Sequence, residues 1–166
     1  MAAALLACAA TNLRADGPQF ESPPVHPIEI SEDGSLLFVL HQADHRLIVW
    51  DLTQDPPVTV AQIMVGLEPV TVRQRTATEV WVVNHLSDSV SIIDLQTRLI
   101  VRTLLVGDEP TDVVFAGQPQ RAFVCVSQKD ALRVYDISHL DAEPRYLPLD
   151  QSDPIALAAS PDQSTV

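Results

Sequence analysis

The stretch WVVNHLSDSVSIID spans residues 81–94 and sets the pattern for the rest of the chain. It consists of two short apolar runs, rich in β-branched residues, on either side of a polar loop. Runs of this length, bounded by Asn, Ser and Asp, are typical of β-strands joined by a turn. The stretch therefore predicts two paired antiparallel strands, and it shows no helical periodicity.

Markers from this stretch recur along the chain at a nearly constant interval. The aromatic residue recurs as Phe38, Trp81 and Phe123, at intervals of 43 and 42 residues. The closing aspartate recurs as Asp51, Asp94 and Asp136. A proline recurs as Pro27, Pro69, Pro110 and Pro154. Three independent markers with one period indicate a structural repeat of roughly 43 residues.

Each repeat contains four short apolar runs separated by turns. In the middle repeat these runs are residues 70–72, 80–83, 90–93 and 99–106. Four antiparallel strands in about 43 residues are the signature of one β-propeller blade. We therefore predict an all-β fold, a partial β-propeller of four-stranded antiparallel blades over residues 24–166. The expected blades are residues 24–68, 69–109 and 110–153, with the start of a fourth at 154–166.

The middle repeat resembles the YVTN-type β-propeller repeat. That family's unit runs aromatic-Val-x-Asn, then an x-Val-x-Val-Ile-Asp strand, then a Val-Gly-x-x-Pro connection, and the matching residues are 81–84, 89–94 and 106–110. The first repeat has His41 where Asn is usual, and the third has Ser127 there and no Val-Gly. The resemblance implies a propeller over about residues 24–166, and it is weak for function because one fold hosts many activities.

Charge restricts the kinds of partner. The chain has 166 residues and a formal net charge of −12, and Lys129 is its sole lysine. Nucleic acids and anionic membrane surfaces need basic patches, so this charge disfavours both. A partner with a basic patch, or a cation, fits better. No apolar stretch reaches the roughly 20 residues that a membrane-spanning helix needs.

The N-terminal residues 1–15, MAAALLACAATNLRA, resemble a secretory signal, because an Ala- and Leu-rich run precedes small residues. The residues before Cys8 also resemble a bacterial lipobox, which would make Cys8 a lipid anchor. The alternative is a disordered or truncated N-terminus, since the basic residues that begin a signal are missing. We expect a periplasmic, cell-envelope or secreted protein, with residues 16–23 as a linker.

Motifs for a particular chemistry are missing from the sequence. It contains no Cys-x-x-Cys-His haem motif, no His-x-Glu-x-x-His spacing and no Gly-rich phosphate loop. Cys125 lies in an apolar run, as expected of a small buried residue rather than a catalytic thiol. We therefore predict no catalytic residue, no metal ligand and no cofactor for this chain.

Topology predicts where a binding site would lie. In a four-stranded meander, the loop after the second strand lies on the same side as the link to the next blade. This side gathers His41, His45, Glu68, His85 and Glu109, and a functional ligand is expected to contact these residues. The alternative is a polar face that is simply solvated. The repeated aspartates at the ends of third strands are expected to form turns.

Two functions remain open at this stage. The first is an envelope or secreted binding scaffold that presents a propeller face to a protein or small ligand. The second is a piece of a propeller enzyme, since the resemblance extends to lactonase-like and to haem- or quinone-associated oxidoreductase propellers, some joined to cytochrome-type domains. Propellers close with about 4–8 blades, so the remaining blades of a longer parent chain are further expected partners.

Overall fold

The computed structural model describes residues 23–150 and 152–166, which form three four-stranded antiparallel sheets. The first sheet contains β1 (Ile28–Ile30), β2 (Leu36–His41), β3 (Arg46–Asp51) and β4 (Val58–Met64). The middle sheet contains β5 (Pro69–Thr76), β6 (Glu79–Asn84), β7 (Ser89–Asp94) and β8 (Leu99–Leu105). The third sheet contains β9 (Pro110–Ala116), β10 (Arg121–Val126), β11 (Ala131–Asp136) and β12 (Arg145–Pro148).

Helix is confined, within the described residues, to two single 3₁₀ turns, Ser127–Lys129 after β10 and Ile137–His139 after β11. The all-β prediction of three four-stranded antiparallel sheets is confirmed. The predicted signal segment, Cys8 and nearly all of the predicted linker lie outside the described residues.

The repeat markers occupy equivalent register positions. Each aromatic marker is the third residue of its second strand, and the pairs with the third strand are Phe38 with Val49, Trp81 with Ile92 and Phe123 with Val134. The closing aspartates accept hydrogen bonds from backbone N–H groups two or three residues further on, at 2.7 to 3.0 Å. These bonds fix the turns that follow the third strands, as the sequence predicts.

One register position differs from the sequence alignment. Val126, rather than Ser127, occupies the position of Asn84, because the sixth residue of each second strand faces the first residue of the third strand. Ser127 begins the following loop, where its hydroxyl donates to the carbonyl of Glu109 at 3.1 Å. Asn84 is buried and donates to two serine hydroxyls on its own sheet. Valine cannot make these bonds, so the third sheet lacks them.

The hydrophobic core consists of two layers on either side of the middle sheet. Side chains alternate across a strand, so Val80 and Val82 face the first sheet whereas Trp81 and Val83 face the third. Trp81 is fully buried, packs edge-on against Phe115 with ring centroids 5.2 Å apart, and donates its indole N–H to a glutamate. The middle sheet is therefore apolar on both faces because both are covered.

The first strands of successive sheets lie next to one another. The Thr71 hydroxyl on β5 donates to the carbonyl of Thr111 on β9 at 2.8 Å. The Thr111 hydroxyl in turn donates to the carbonyl of Pro154 at 3.4 Å. The segment after β12 therefore lies along β9 much as β9 lies along β5, in the arrangement expected of consecutive propeller blades.

Candidate functional site

A hydrogen bond between two loops recurs in all three sheets. The side chain that precedes each third strand accepts from the backbone N–H of the residue before the next proline. The three bonds are Glu68 N to His45 Nδ1 at 3.1 Å, Glu109 N to Asp88 Oδ1 at 3.0 Å and Asp153 N to Asp130 Oδ1 at 2.9 Å. The loops after second strands and the blade links therefore share one side, which we call the loop face.

The backbone gives these loop-face residues a structural role. All six have positive φ, between 48° and 56°. This left-handed region favours Asp, Asn and His over bulky or β-branched residues. The polar character of His45, for example, follows from its backbone conformation and its bond to Glu68, whether or not a ligand binds there.

The five predicted site residues fall into two contacting pairs and a separate histidine. His45 and Glu68 are joined through the bond just described. His85 and Glu109 approach each other, with His85 Nε2 3.9 Å from Glu109 Oε2. His41 is exposed at the end of β2, and its Nδ1 lies 3.3 Å from a carboxylate oxygen of Asp44. His139 lies away from these residues, in a 3₁₀ turn after a third strand.

The environment of His85 determines which ring nitrogen is available. The residue is 9% exposed, and its Nδ1 lies 3.1 Å from the carbonyl oxygen of Pro110. A carbonyl can only accept, so Nδ1 carries a hydrogen. In the neutral imidazole Nε2 is then an acceptor, and it is directed towards Glu109. Gln128 donates to the same Glu109 oxygen at 2.9 Å.

These groups border a small cleft of about 190 Å³, which we call the His85 cleft. Its apolar wall consists of Pro23, Val25, Val70 and Ile155. Its polar residues are His85, Glu109, Thr111, Ser127, Gln128 and Asp153. A concave, largely apolar site with a few converging polar groups is the usual form of a small-ligand site.

A second cleft of about 400 Å³ lies beside the first strands, and sequence reasoning missed the charged residues around it. The Asp112 carboxylate is fully buried, accepts from the Leu157 N–H at 2.7 Å, and lies 3.2 Å from His26 Nδ1 and 3.8 Å from Arg73 Nε. Burial raises the pKa of the nearby Glu29. The signal in the sequence was a charged residue within an apolar strand, but only packing between blades shows that these charges meet.

The described part of the chain also bears on metal binding, membrane insertion and thiol chemistry. No group of three or more His, Cys, Asp and Glu side chains there is arranged to hold a metal ion. No helix among residues 23–150 and 152–166 has the length and apolar character needed to cross a membrane. Burial raises the pKa of the Cys125 thiol, which disfavours the reactive thiolate.

Comparison with solved structures shows the β-propeller fold. Hydrazine synthase from Kuenenia stuttgartiensis matches with a TM-score of 0.74 and 27% identity, over 95% of this chain and 43% of that chain. A protein named as a 6-phosphogluconolactonase from Bacteroides uniformis matches with a TM-score of 0.69 and 16% identity, over 82% and 47%. Dihydro-heme d1 dehydrogenase NirN matches with a TM-score of 0.62 and 24% identity, over 82% and 31%.

The chain thus spans less than half the length of each of these proteins. The sequence matches no family model, so the YVTN repeat remains a resemblance, and no curated protein matches it either.

Proposed function

We propose that the chain is a binding part of a β-propeller protein and that its loop face is the binding surface. The observation that carries the proposal is the His85 cleft, in which a nearly buried histidine with a fixed donor nitrogen meets a carboxylate beside apolar side chains. Binding requires only this arrangement of complementary groups, and the two hydroxyls that line the cleft donate to backbone carbonyls rather than to His85.

The same proposal includes the setting of the protein. We infer a periplasmic, envelope or secreted scaffold whose partner is a protein or a small ligand. The acidic chain supports a partner with a basic group, since its net charge is −12. Further blades of a longer parent chain are also proposed as partners, because the matched propeller proteins are more than twice as long as the region that this chain covers.

The test is a fragment screen by NMR on the ¹⁵N-labelled chain, with cationic, anionic and neutral fragments in equal numbers. We expect binders to shift the amide signals of His85, Glu109 and Gln128, and we expect His85→Gln to remove these shifts. His139→Gln is the matched control and should leave them unchanged. Binders that shift only the signals around Arg73, or a screen with no binder, would overturn the proposal.

A second candidate function is supported by the 27% identity with a hydrazine synthase chain over 95% of this chain. In this alternative the chain is one part of a propeller enzyme or redox protein, of the lactonase-like or cytochrome-joined kind. The fully buried Asp112 beside His26 and Arg73 would then be the group to examine, because buried charge clusters beside a cleft are candidates for function.

An activity assay distinguishes the two candidates. The purified chain is added to a set of sugar lactones, and acid release is followed at constant pH. The binding proposal expects the rate to equal the uncatalysed rate. A faster rate that is lost in Asp112→Asn, with the fold intact by circular dichroism, would favour the enzyme.

A further inference from the structure

We infer that the His85 cleft recognises a primary ammonium group that carries a short apolar chain. This inference rests on the proposed function and deepens it, because it assigns the chemical class of the ligand. It rests on the hydrogen-bonding groups that line the cleft. The hydroxyl groups there already donate to backbone carbonyls, whereas several acceptor atoms line the same cleft.

The hydroxyl hydrogens beside the cleft are taken up by backbone carbonyls. Ser127 donates to the carbonyl of Glu109 at 3.1 Å, and Thr111 donates to the carbonyl of Pro154 at 3.4 Å. The Gln128 side chain donates to the Glu109 carboxylate at 2.9 Å. A ligand that approaches this cleft therefore meets the lone pairs of these oxygens rather than their hydrogens.

Three further residues, His85, Glu109 and Asp153, provide acceptors, whereas the Gln128 amide has one N–H besides the one bonded to Glu109. Nδ1 of His85 is held as a donor by the Pro110 carbonyl, so Nε2 of the neutral ring offers its lone pair. Its nearest charged neighbour is Glu109 Oε2 at 3.9 Å, a distance that leaves room for a shared donor to bond with both. Asp153 adds a second carboxylate, and its side chain is exposed.

The ligand that complements this set must supply hydrogens and positive charge. An ammonium group has three donors and no acceptor, which suits an imidazole nitrogen and two carboxylates. The residues that line the cleft include no lysine or arginine to compete for this position, and Lys129 next to Gln128 lies 3.6 Å from Asp108 instead. Hydrogen bonds between charged groups are about twice as strong as neutral ones, so the carboxylates would dominate the affinity.

The apolar wall determines what is attached to the ammonium group. Val25, Val70 and Ile155 lie beside the acceptors, and the cleft of about 190 Å³ is small for a drug-sized ligand. A chain of a few methylene groups fits this combination. A free alkylamine and the lysine side chain of a partner protein share this chemistry, so both are sources to be compared.

The second cleft, of about 400 Å³, is lined by two arginines, which would favour an anion. Arg73 faces the fully buried Asp112, and it also acts on Glu29, so its charge is already compensated. Arg75 is paired with Glu79. In the His85 cleft no lining lysine or arginine pairs with the two carboxylates, and the His85 Nε2 atom lies 3.9 Å from Glu109.

The experiment is a titration of the ¹⁵N-labelled chain with n-butylammonium, with n-butanol and butyrate as isosteric controls. We expect n-butylammonium alone to shift the signals of His85, Glu109 and Ser127. Glu109→Gln should weaken binding by about tenfold or more, because a charge-assisted bond is lost.

Glu143→Gln, at an exposed carboxylate outside the cleft, is the matched control and should bind like the unchanged chain. The Glu109 side chain is 41% exposed and that of His85 only 11%, so Glu109→Gln tests the cleft with less risk to folding than His85→Gln.

The outcomes separate this inference from the proposed function. If anionic or neutral fragments bind the loop face and n-butylammonium does not, the ammonium inference is wrong while the binding surface stands. If Glu109→Gln leaves the affinity unchanged, the inference is wrong as well. If no fragment of any charge binds, both proposals fall. A lysine-containing peptide that binds at least about tenfold more tightly than n-butylammonium would support the inference with a protein partner, and equal affinities would support it with a free amine.

Discussion

The middle and first sheets have similar apolar sequences but different surroundings. In the middle sheet Trp81 and Val82, which point to opposite faces, are both fully buried. In the first sheet Phe38 is fully buried towards the middle sheet, whereas Ile28 and Ile30 are 58% and 57% exposed. The repeat therefore encodes two apolar faces in every blade, and burial depends on whether a neighbouring blade lies against each face.

The largest difference is expected between two tryptophans. Trp81 is fully buried in the middle sheet, and Trp50 on β3 of the first sheet is only half-buried. Trp81→Ala should lower the free energy of unfolding by about 3–5 kcal/mol through lost contacts and a cavity. Trp50→Ala should cost about 1 kcal/mol, because much of its ring already contacts solvent. Chemical denaturation measures both.

Equal losses for the two tryptophan variants would break the comparison, because they would show that the outer face of the first sheet is covered in solution. Leu86→Ala, at an exposed loop position, is a suitable control for the effect of truncation alone. It should change the stability by about 0.5 kcal/mol or less.

The contact between the first and middle sheets depends on Gly66. A Cβ at this position would lie 2.6 Å from Asn84 Cγ and collide with the Ser87 hydroxyl. Gly66→Ala should therefore cost about 1–3 kcal/mol. Hydrogen exchange should show the loss of protection mainly in the first sheet. The middle sheet covers only one face of the first sheet, so this sheet has fewer other contacts to hold it.

Gly34→Ala is the control for this variant, since Gly34 has a positive φ of 75° and open space around its Cβ position. Its effect should be confined to the turn between β1 and β2. Loss of protection in β5–β8 as large as that in β1–β4 would contradict the expected weakness of the first sheet.

A smaller effect is expected on self-association. Ile28 and Ile30 belong to an exposed apolar face, and such faces promote association. The double variant Ile28→Glu/Ile30→Glu should lower the average mass measured by light scattering at micromolar concentration. Leu86→Glu, with similar exposure on the loop face, should not. An unchanged mass in the double variant would show that the outer face of the first sheet does not cause association.

The sequence predicted the sheets better than it predicted the site. The 43-residue period was sufficient for the strand order, and the aromatic markers took equivalent positions because register follows side-chain alternation. The proline marker predicted the register less well than the aromatic marker did. The carbonyl of Pro27 accepts from Leu40, the fifth residue of its second strand, whereas Pro69 pairs with Asn84, the sixth residue of its second strand. The strand β1 has three residues whereas β5 has eight, and the register of β5 shifts between Pro69 and Thr71. The spacing of the prolines does not reveal either difference.

The candidate site was predicted only in part. Topology predicted that the loops after second strands and the blade links share one side of the propeller. On that side, His85 and Glu109 do approach each other. The positive φ of His45 and Glu68 was not visible in the sequence, so their structural role was missed. The cluster around Asp112 was also missed, because its members come from three different blades and only packing brings them together.

The smallest effect is expected from two turns that repeat the same hydrogen bonds 129 residues apart. In each turn a serine hydroxyl donates to an aspartate at 2.6 Å, and this bond, together with bonds from a second serine, lowers the pKa of Asp33 and of Asp162 to about 2. A carboxyl with a lowered pKa in the folded state stabilises above its unfolded pKa of about 4, and that stabilisation is lost as the pH falls through about 2. Asp33→Asn should therefore lower the melting temperature slightly above about pH 4, and the difference from the unchanged chain should vanish near about pH 2. Both carboxylates are exposed, so screening by solvent keeps the effect small.

Asp162→Asn should have less effect than Asp33→Asn, because the turn at Asp33 joins two paired strands of the first sheet whereas the described residues after Asp162 form no strand. Equal effects of the two variants would show that the segment after β12 is as firmly held as the first sheet.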